Sequence, residues 1–367
     1  MLLLAFTFPP DVGGVETHLT DLVREVKKRA DVQLFVCSYK PIVTDVREYR
    51  RRETDGNVEI RRWWWFGGNL FRKLEPWPLL LFLYVTPYFL LRAFLFMLGH
   101  ARQIDVIHVH GLNMAFVGWL LGAIFGKRVV MQTHALYSFN PSSLFGKVAR
   151  FTLSRMSKIL TLSTASKQEL VALGVPATLV GDYRYWIDLD KFRPVEKAGE
   201  GITVLFVGRL IDIKGAGVVC ALAERFPEVK FVIVGDGPDR PRVEEAARRL
   251  PNVQYAGLVR NSDLTAFYQS ADVTIVPSQY PEGFGRVIAE SLACGVPVVA
   301  SNIGGIPDAM DESVGMLSAL DVDSFATALR RMTEDKGLRE RCRRNARPFA
   351  ERRFSAANAE TILGAYR

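Results

Sequence analysis

The sequence predicts an α/β protein of two doubly wound domains, each with a parallel sheet. Three observations lead to this prediction: a length of 367 residues, an alternation of short apolar runs with helical stretches, and a lapse of that alternation near 193–201. The length fits two domains, and near-continuous apolar strands are typical of parallel sheets covered on both faces. We therefore place an N-terminal domain at 1–192 and a C-terminal domain at 193–350. A C-terminal helix at 351–367 is expected to pack back on the N-terminal domain.

Ten short runs rich in Val, Ile and Phe are the predicted strands. Five precede the lapse: Leu2–Phe8, Val32–Ser38, Val106–His110, Val129–Thr133 and Ile159–Ser163. Five follow it: Ile202–Val207, Phe231–Val234, Val253–Ala256, Val273–Pro277 and Val296–Ala300. The apolar stripe with helical spacing in Val15–Val26 predicts the clearest helix. Further helices are predicted at Arg286–Cys294, Leu338–Phe354 and Ala356–Tyr366.

Composition narrows the class of protein only partly. The chain has 47 Lys+Arg against 39 Asp+Glu, and this excess suits either an anionic substrate or an acidic membrane surface. Its four cysteines are scattered without a CxxC pair, which predicts buried thiols in a reducing compartment and argues against structural zinc. No basic segment precedes the apolar Leu2–Phe8, so this run is interpreted as a strand and the protein as cytoplasmic.

One segment, Trp77–Leu98, is long and apolar enough to suggest a membrane span. Pro87 and Arg92 interrupt it, so two other interpretations stay open: a helix that docks on the bilayer surface, or a helix buried in the domain. Trp63-Trp64-Trp65 and the basic residues around it favour surface docking, because aromatic and basic side chains suit the lipid interface. The sequence thus predicts a peripheral membrane contact through 61–98.

The segment Pro9–Glu16 (PPDVGGVE) joins the first predicted strand to the first predicted helix. Gly13 and Gly14 would let the backbone approach a ligand, and the helix N-terminus would offer free N–H groups to a phosphate. The alternative is a tight turn without a ligand. Neither a P-loop nor a GxGxxG pattern is present here, so the usual mononucleotide and dinucleotide interpretations fail.

The loop Gly208–Gly215 (GRLIDIKG) follows the first strand of the second half. Arg209 and Lys214 would project two cations from it, which suits a diphosphate; the alternative is an exposed basic loop. Gly235-Asp236-Gly237 lacks the third glycine of a dinucleotide fingerprint and is interpreted as a strand-to-helix turn.

Histidines end two strands of the first half. His134 follows a predicted strand and would open toward a crevice, where it either binds a substrate hydroxyl or only satisfies local hydrogen bonds. His108 and His110 share one face of another strand. They lack the spacing partners of a metal site, so we interpret them as structural or peripheral.

The run Pro281–Ala300 (PEGFGRVIAESLACGVPVVA) combines a Gly-rich turn, a helix and a buried strand. Glu282 and Glu290 lie eight residues apart, and eight helical steps return to within about 80° of the start. On this arithmetic both carboxylates face one cleft. Glu290 is a candidate for the ribose hydroxyls of a nucleotide; the alternative is a helix residue paired with Arg286.

Together these segments resemble family 4 of the glycosyltransferases, retaining nucleotide-sugar enzymes with the GT-B fold of two Rossmann-like domains facing a central cleft. The resemblance covers nearly the whole chain. It rests on PPDVGGVETH, QTHAL, GRLIDIKG, VGDGP, PSQYPEGFGRVIAESLACGVPVVAS and GGIPDAM. The chain departs from the family pattern at Tyr185-Trp186, where Asn-Gly is common, and at Asp308, where Glu is frequent.

The resemblance implies a role for each candidate residue. Arg209 and Lys214 would hold the donor diphosphate and stabilise the leaving group, Glu290 would bind ribose, and His134 would contact the donor sugar near the reacting carbon. Glu282 would hold the sugar hydroxyls. The remaining donor-binding positions are backbone groups of Gly13, Gly14, Gly283, Phe284 and Gly285.

The resemblance also implies the reaction. A hexosyl unit would pass from a UDP- or GDP-sugar to a glycan or lipid-linked acceptor, with retention, without metal or other cofactor, and with the leaving phosphate as base. We expect no nucleic-acid partner and a position in the cytoplasm, at the inner face of the membrane. Two alternatives remain: a GT-B sugar epimerase or phosphorylase, and a non-catalytic nucleotide-sugar-binding protein.

Overall fold

The computed structural model describes residues 1–11, 13–42, 48–66, 70–74, 77–196 and 201–366, with backbone alone for 71, 72 and 78. The chain forms two compact units, Met1–Tyr185 with Ala357–Arg367, and Trp186–Ala356. The units divide near 185 and 356, whereas the sequence placed the divisions at 192 and 350. Backbone pairing explains the shift, because Ile187 N donates to Phe354 O at 3.1 Å inside the second unit. Part of the predicted linker, 197–200, lies outside the described residues.

The first unit is built on an eight-stranded sheet with the order β3-β4-β2-β1-β5-β6-β7-β8. Its strands are β1 (Leu2–Leu4), β2 (Leu34–Tyr39), β3 (Arg52–Asp55), β4 (Val58–Trp63), β5 (Val106–His110), β6 (Arg128–Gln132), β7 (Lys158–Thr161) and β8 (Val180–Asp182). Its helices are α1 (Gly14–Lys27), α2 (Leu70–Leu74), α3 (Pro78–His100), α4 (Leu112–Phe125), α5 (Leu144–Leu153), α6 (Thr164–Ala172) and, at the C-terminal end, α13 (Ala359–Gly364).

The second unit has a six-stranded sheet with the order β11-β10-β9-β12-β13-β14. Its strands are β9 (Thr203–Val207), β10 (Lys230–Val234), β11 (Val253–Gly257), β12 (Val273–Val276), β13 (Val298–Ser301) and β14 (Gly315–Ser318). Its helices are α7 (Ala216–Arg225), α8 (Arg240–Arg249), α9 (Leu264–Ser270), α10 (Arg286–Ala293), α11 (Val322–Glu334) and α12 (Lys336–Arg353).

The predicted class is confirmed, since strands and helices alternate in both units and every predicted strand is present. The expectation of wholly parallel sheets needs one correction, because β3 and β4 pair antiparallel. Gly56 and Asn57 form the turn of this hairpin, with Gly56 at φ 60°, a turn signal that the apolar pattern alone does not reveal.

The tryptophan cluster before α3 is also different from its prediction. Trp63 and Trp65 are buried in the core of the first unit, and only Trp64 is exposed. Arg62 is buried as well, where its guanidinium donates to Pro9 O. β4 ends at Trp63, so Trp64 and Trp65 lie just after the strand, where the Trp65 ring stacks on Tyr39 with centroids 5.3 Å apart. Most of this cluster therefore stabilises the core.

The strand orders fix where ligands are expected. In each sheet the chain starts in the middle and builds outward first to one side and then to the other, so the direction reverses between β1 and β5 and between β9 and β12. Loops at the carboxyl ends of strands beside such a reversal part and leave a crevice. The candidate residues after β1, β9 and β12 lie beside these reversals, at the carboxyl-terminal edge of each sheet, and His134 follows β6, the next strand after β5.

Candidate functional site

The loops at the carboxyl ends of β9 and β12 form the charged edge of the second sheet. Arg209 leaves the end of β9 with an exposed guanidinium that has no ion-pair partner among the described residues. Lys214 ends a short 3₁₀ turn, Asp212–Lys214, just before α7. Gly215 follows at φ 75°, and a Cβ there would lie 2.1 Å from Pro277 O. Glycine is required at this point because the β9 loop passes so close to the β12 loop.

Glu282 comes from the loop after β12 and meets Lys214. The Lys214 Nζ lies 2.7 Å from Glu282 Oε2, with the two side chains 25% and 16% exposed. The other carboxylate oxygen accepts a hydrogen bond from the buried Ser278 hydroxyl. The loop after β13 fixes the backbone here, since Gly305 N donates to Glu282 O at 2.7 Å. The structure thus brings Lys214 and Glu282, predicted to hold phosphate and sugar, into direct contact.

Glu290 has a more enclosed position than Glu282. Its side chain is on α10, only 3% of the residue is exposed, and Tyr268 OH donates to its Oε2 at 2.9 Å. Arg286 Nε donates to Oε1 at 2.9 Å. This is the pairing that the sequence left open as the alternative to ribose binding. Burial, followed by the neighbouring Glu290 charge, raises the pKa of the Tyr268 hydroxyl well above its usual value.

The helical arithmetic for the two glutamates was wrong. α10 begins at Arg286, so Glu282 lies in the preceding loop and not on the same helix. Gly285, at φ 85°, ends that loop and precedes the first residue of the helix. Phe284 is 3% exposed and packs edge-to-face on Phe354 with ring centroids 5.6 Å apart. Its side chain anchors the loop in the core, and Gly283, Phe284 and Gly285 are all buried.

The glycine loop of the first unit follows β1 directly. Gly14 begins α1 and is exposed, with nothing within 4 Å of an added Cβ. Gly13 lies under the carboxylate of Glu16, which folds back and accepts a hydrogen bond from Thr7 Oγ1. This buried carboxylate stabilises the helix N-terminus and competes with any bound anion. Val12 of this motif lies outside the described residues.

His134 belongs to a hydrogen-bonded network at the end of β6. Its Nε2 lies 3.0 Å from His110 Nδ1, and its Nδ1 lies 3.0 Å from the Tyr185 hydroxyl. The ring of His18, from α1, lies 5.7 Å from the His134 ring. Behind them, His108 Nδ1 lies 2.8 Å from the hydroxyl of Tyr366. His134 and the structural histidines of β5 are therefore one cluster.

One tautomer of this cluster is favoured. His110 Nε2 is buried and has no partner among the described residues. If His110 donates its Nδ1–H to His134, the buried Nε2 carries only a lone pair that accepts no hydrogen bond. If His110 instead carries its proton on Nε2, a buried N–H has no acceptor. Buried donors without acceptors are the rarer defect. His134 then donates its own Nδ1–H to Tyr185, so both ring nitrogens are engaged.

Burial keeps these imidazoles neutral. It lowers the pKa of His134 to about 3, and together with the neighbouring His134 it lowers the pKa of His108 to about 3. The pKa of His110 falls well below its usual value through burial and the proximity of His108, His134 and His18. A neutral imidazole suits hydrogen bonding to hydroxyl groups and gives little attraction for phosphate.

Sequence reasoning missed several residues at these edges. Tyr268 and Ser278, which hold the two glutamates, gave no signal, and only a departure from the family pattern pointed to Tyr185 beside His134. Tyr268 lies on a helix and Ser278 follows an apolar strand, where a single polar residue cannot be distinguished from ordinary structure. His110 was singled out in the sequence, but its hydrogen bond to His134 was not predicted.

Both halves of the chain match known families. Residues 188–349 match the family described as "Glycosyl transferases group 1", and residues 13–180 match "Glycosyl transferase 4-like domain". The D-inositol 3-phosphate glycosyltransferase of Kribbella flavida is 30% identical over 301 residues, which cover 72% of this chain and 71% of that protein.

Two other relatives come from Arabidopsis thaliana. Sulfoquinovosyl transferase SQD2 is 28% identical over 276 residues, covering 68% of this chain and 53% of that protein. One component of phosphatidylinositol N-acetylglucosaminyltransferase is 26% identical over 242 residues, covering 62% of this chain and 54% of that protein. The matched part of this chain thus spans about half the length of these two relatives.

Solved structures share the fold over the full chain. Sucrose-phosphate synthase of Thermosynechococcus elongatus has a TM-score of 0.82 at 21% identity and covers 100% of this chain and 98% of that one. Anabaena Alr3699/HepE in complex with UDP-glucose has a TM-score of 0.75 at 20% identity, covering 99% and 97%. The fold is therefore GT-B, with a Rossmann-like sheet in each unit, and the chain belongs to the group 1 glycosyltransferases of the family-4 type.

Proposed function

We propose that this glycosyltransferase moves a hexosyl unit, with retention, from a UDP- or GDP-sugar to a glycan or lipid-linked acceptor. The observation that carries the proposal is the charged edge of the second sheet, where Arg209, Lys214 and Glu282 lie beside the β9/β12 reversal. Two further facts support it: the HepE structure is a complex with UDP-glucose, and one relative is named phosphatidylinositol N-acetylglucosaminyltransferase.

The diphosphate is assigned to the two cations. Arg209 presents a planar fork that matches phosphate oxygens, and Lys214 presents a point charge on a flexible stem. Lys214 is neutralised by Glu282 in the structure. A bound diphosphate would attract Lys214, and the carboxylate of Glu282 would then accept hydrogen bonds from sugar hydroxyls. One ion pair therefore supplies both the phosphate contact and the sugar contact.

The transfer step needs no group beyond the two substrates. The bond from the anomeric carbon to the phosphate oxygen breaks, and its electron pair stays on that oxygen. The acceptor oxygen bonds to the same face of the anomeric carbon, and its proton passes to the leaving phosphate. Arg209 and Lys214 stabilise the developing negative charge, the part that a metal ion plays in other transferases.

The neutral cluster of the first unit is assigned to sugar hydroxyls. His134 has both ring nitrogens engaged, so it would exchange its bond to Tyr185 for one to the donor sugar. Gly14 leaves space for phosphate at the loop after β1. The Glu290 contact with ribose stays a prediction, because both oxygens of this carboxylate already accept hydrogen bonds.

Donor binding is tested first. Thermal unfolding with UDP-, GDP- and ADP-sugars should show a rise in Tm for one base, because a ligand that binds only the folded chain stabilises it by mass action. Product analysis then separates the alternatives: a transferase releases nucleoside diphosphate when an acceptor is supplied, and the product keeps the anomeric configuration. No shift with any donor, or conversion of the donor without acceptor, would contradict the proposal.

The location is part of the same proposal. We expect a cytoplasmic enzyme held peripherally at the inner face of the membrane through 61–98, where lipid-linked acceptors would be within reach. Fractionation of cells that express the full chain should place it with membranes and release it at high salt. Recovery in the soluble fraction at every salt concentration would remove the membrane from the proposal.

A further inference from the structure

The surface formed by α3, α4 and α5 is the most unusual exterior feature of the first unit. Across α3, the exposed side chains recur at steps of three or four residues and so form one continuous face: Leu80, Leu83, Pro87, Leu91, Leu95 and Leu98. The leucines of this set are between 50% and 61% exposed. A surface helix normally carries polar residues on this face, but α3 is apolar on both sides.

The apolar face continues onto the next two helices. Ring contacts join Phe82 of α3 to Phe116 of α4 at 5.6 Å, and Trp119 of α4 to Phe151 of α5 at 5.3 Å. On α5, the exposed apolar side chains are Leu144, Phe145, Val148 and Phe151. A groove of about 270 Å³ crosses this surface between α3 and α4, lined by Pro87, Leu90, Leu91, Phe94, Leu120 and Ile124. The exposed apolar area therefore extends beyond the segment 61–98.

The charges on these helices all have one sign. α3, α4 and α5 contain Arg92, Lys147 and Arg150 and no Asp or Glu. From 77 to 158 the chain has eight Lys or Arg and one acidic residue, Asp105. Exposed apolar side chains on helices whose only charged residues are Lys and Arg match the acyl and headgroup layers of a bilayer that contains anionic lipid.

We propose that this three-helix surface docks on an anionic phospholipid bilayer, with α3 lying in the membrane plane and acyl chains filling the groove. This inference rests on the proposed function, because docking would bring the enzyme close to a lipid-linked acceptor. By length and composition α3 with the following turn, Leu79–Gln103, is also long enough to cross a membrane.

The packing of α3 favours docking over crossing. Val85, Phe89, Ala93 and Met97 are fully buried against the sheet. The backbone carbonyl of Val85 accepts a hydrogen bond from the buried Tyr39 hydroxyl at 2.6 Å. A crossing helix would have to leave this core, whereas a helix lying in the plane keeps it and covers only the exposed leucines.

Flotation of the purified full chain with vesicles tests the inference without any sugar. Binding should be stronger to phosphatidylcholine mixed with phosphatidylglycerol than to phosphatidylcholine alone. Lys147→Gln with Arg150→Gln should weaken binding to the anionic vesicles about fivefold per cation removed. Leu91→Ser with Leu95→Ser should weaken binding to them about tenfold or more.

Matched substitutions in the second unit provide the controls. Leu258→Ser removes an exposed leucine, and Arg341→Gln with Arg344→Gln removes two exposed cations; none should change vesicle binding. Equal losses in test and control variants, or no binding by the wild-type chain, would overturn the docking surface. A dimer that Leu91→Ser with Leu95→Ser converts to monomer would also overturn it, because the surface would then be a protein interface. A chain that alkaline carbonate cannot extract from membranes would overturn it as well, because α3 would then cross the bilayer. The rise in Tm on donor binding does not depend on vesicle binding, so failure of the proposed glycosyl transfer and failure of the docking surface can be told apart.

Discussion

The same topological position has opposite chemistry in the two units. At the β9/β12 edge, Arg209, Lys214 and Glu282 are ionised groups with partial exposure. At the β1/β5 edge, neutral histidines and tyrosines form a network that is largely buried. Strand order thus determines where candidate residues gather in each sheet, while the side chains after each strand determine which chemical groups they suit. Charged side chains suit phosphate groups, and neutral imidazoles suit hydroxyl groups.

Arg209→Ala should produce the largest effect, because it removes the exposed cation of the charged edge. We expect turnover to fall about 100- to 1000-fold through loss of leaving-group stabilisation, with Tm unchanged. Steady-state kinetics of the variant against Arg260→Ala, another exposed arginine of the second unit, make the comparison. Equal kinetics in the two variants would remove the leaving-group role from the charged edge.

Glu290→Ala asks whether the charged edge is also a structural one. Loss of this carboxylate leaves Arg286 without its buried partner, so the free energy of unfolding should fall by about 3 kcal/mol. Glu282→Ala, at the more exposed carboxylate, should cost about 1 kcal/mol or less. Urea unfolding measures both. A stable Glu290→Ala variant with weakened donor binding would instead favour the ribose role alone.

Acid should destabilise the neutral edge. The unfolded chain protonates His108, His110 and His134 below about pH 6.5, while burial keeps them neutral in the folded chain. The contribution of these neutral histidines to the free energy of unfolding is complete above that pH and is lost progressively as the pH falls toward 3. Each histidine adds a slope of about 1.4 kcal/mol per pH unit within this window.

His110→Gln provides the test of this acid sensitivity. Denaturant unfolding of wild type and variant between pH 7 and pH 5.5 should show a shallower pH dependence in the variant, because one titrating group is gone. Carboxylates that titrate in the same range are common to both proteins and cancel. Parallel curves would mean that His110 binds its proton equally well in the folded and unfolded chains, which would contradict its neutral, buried state.

Tyr185→Phe should have the smallest effect. It tests a residue at which this chain departs from the family pattern. It removes the hydroxyl that holds His134 Nδ1 and keeps the ring. We expect turnover to fall about two- to tenfold, the equivalent of one hydrogen bond, with donor KM nearly constant. Tyr255→Phe, which removes a hydroxyl bonded to Gly235 O in the second unit, is the matched control. Identical turnover in both variants would make Tyr185 a structural residue only.

The prediction from sequence was most accurate for secondary-structure elements and least accurate for contacts between side chains. Each of the ten apolar runs forms a strand in the structure, because burial on both faces leaves an unbroken hydrophobic pattern. The hairpin β3–β4 was missed, since Arg52–Asp55 is polar and exposed. The motif loops placed Arg209, Lys214, Glu282 and His134 at the carboxyl ends of strands. The helical angle between Glu282 and Glu290 was misapplied, because α10 begins at Arg286, as predicted, and Glu282 lies in the loop before it.

The sequence by itself determined the fold class, the family and the loops that carry the candidate residues, because periodicity and motif spacing are local properties of the chain. Tertiary structure decided which groups meet. It paired Lys214 with Glu282, enclosed Glu290 between Tyr268 and Arg286, and joined His134 to residues from β5 and the segment after β8. It also left one face of α3 exposed while burying the other. Burial and contact depend on residues far apart in sequence, and only the folded chain brings them together.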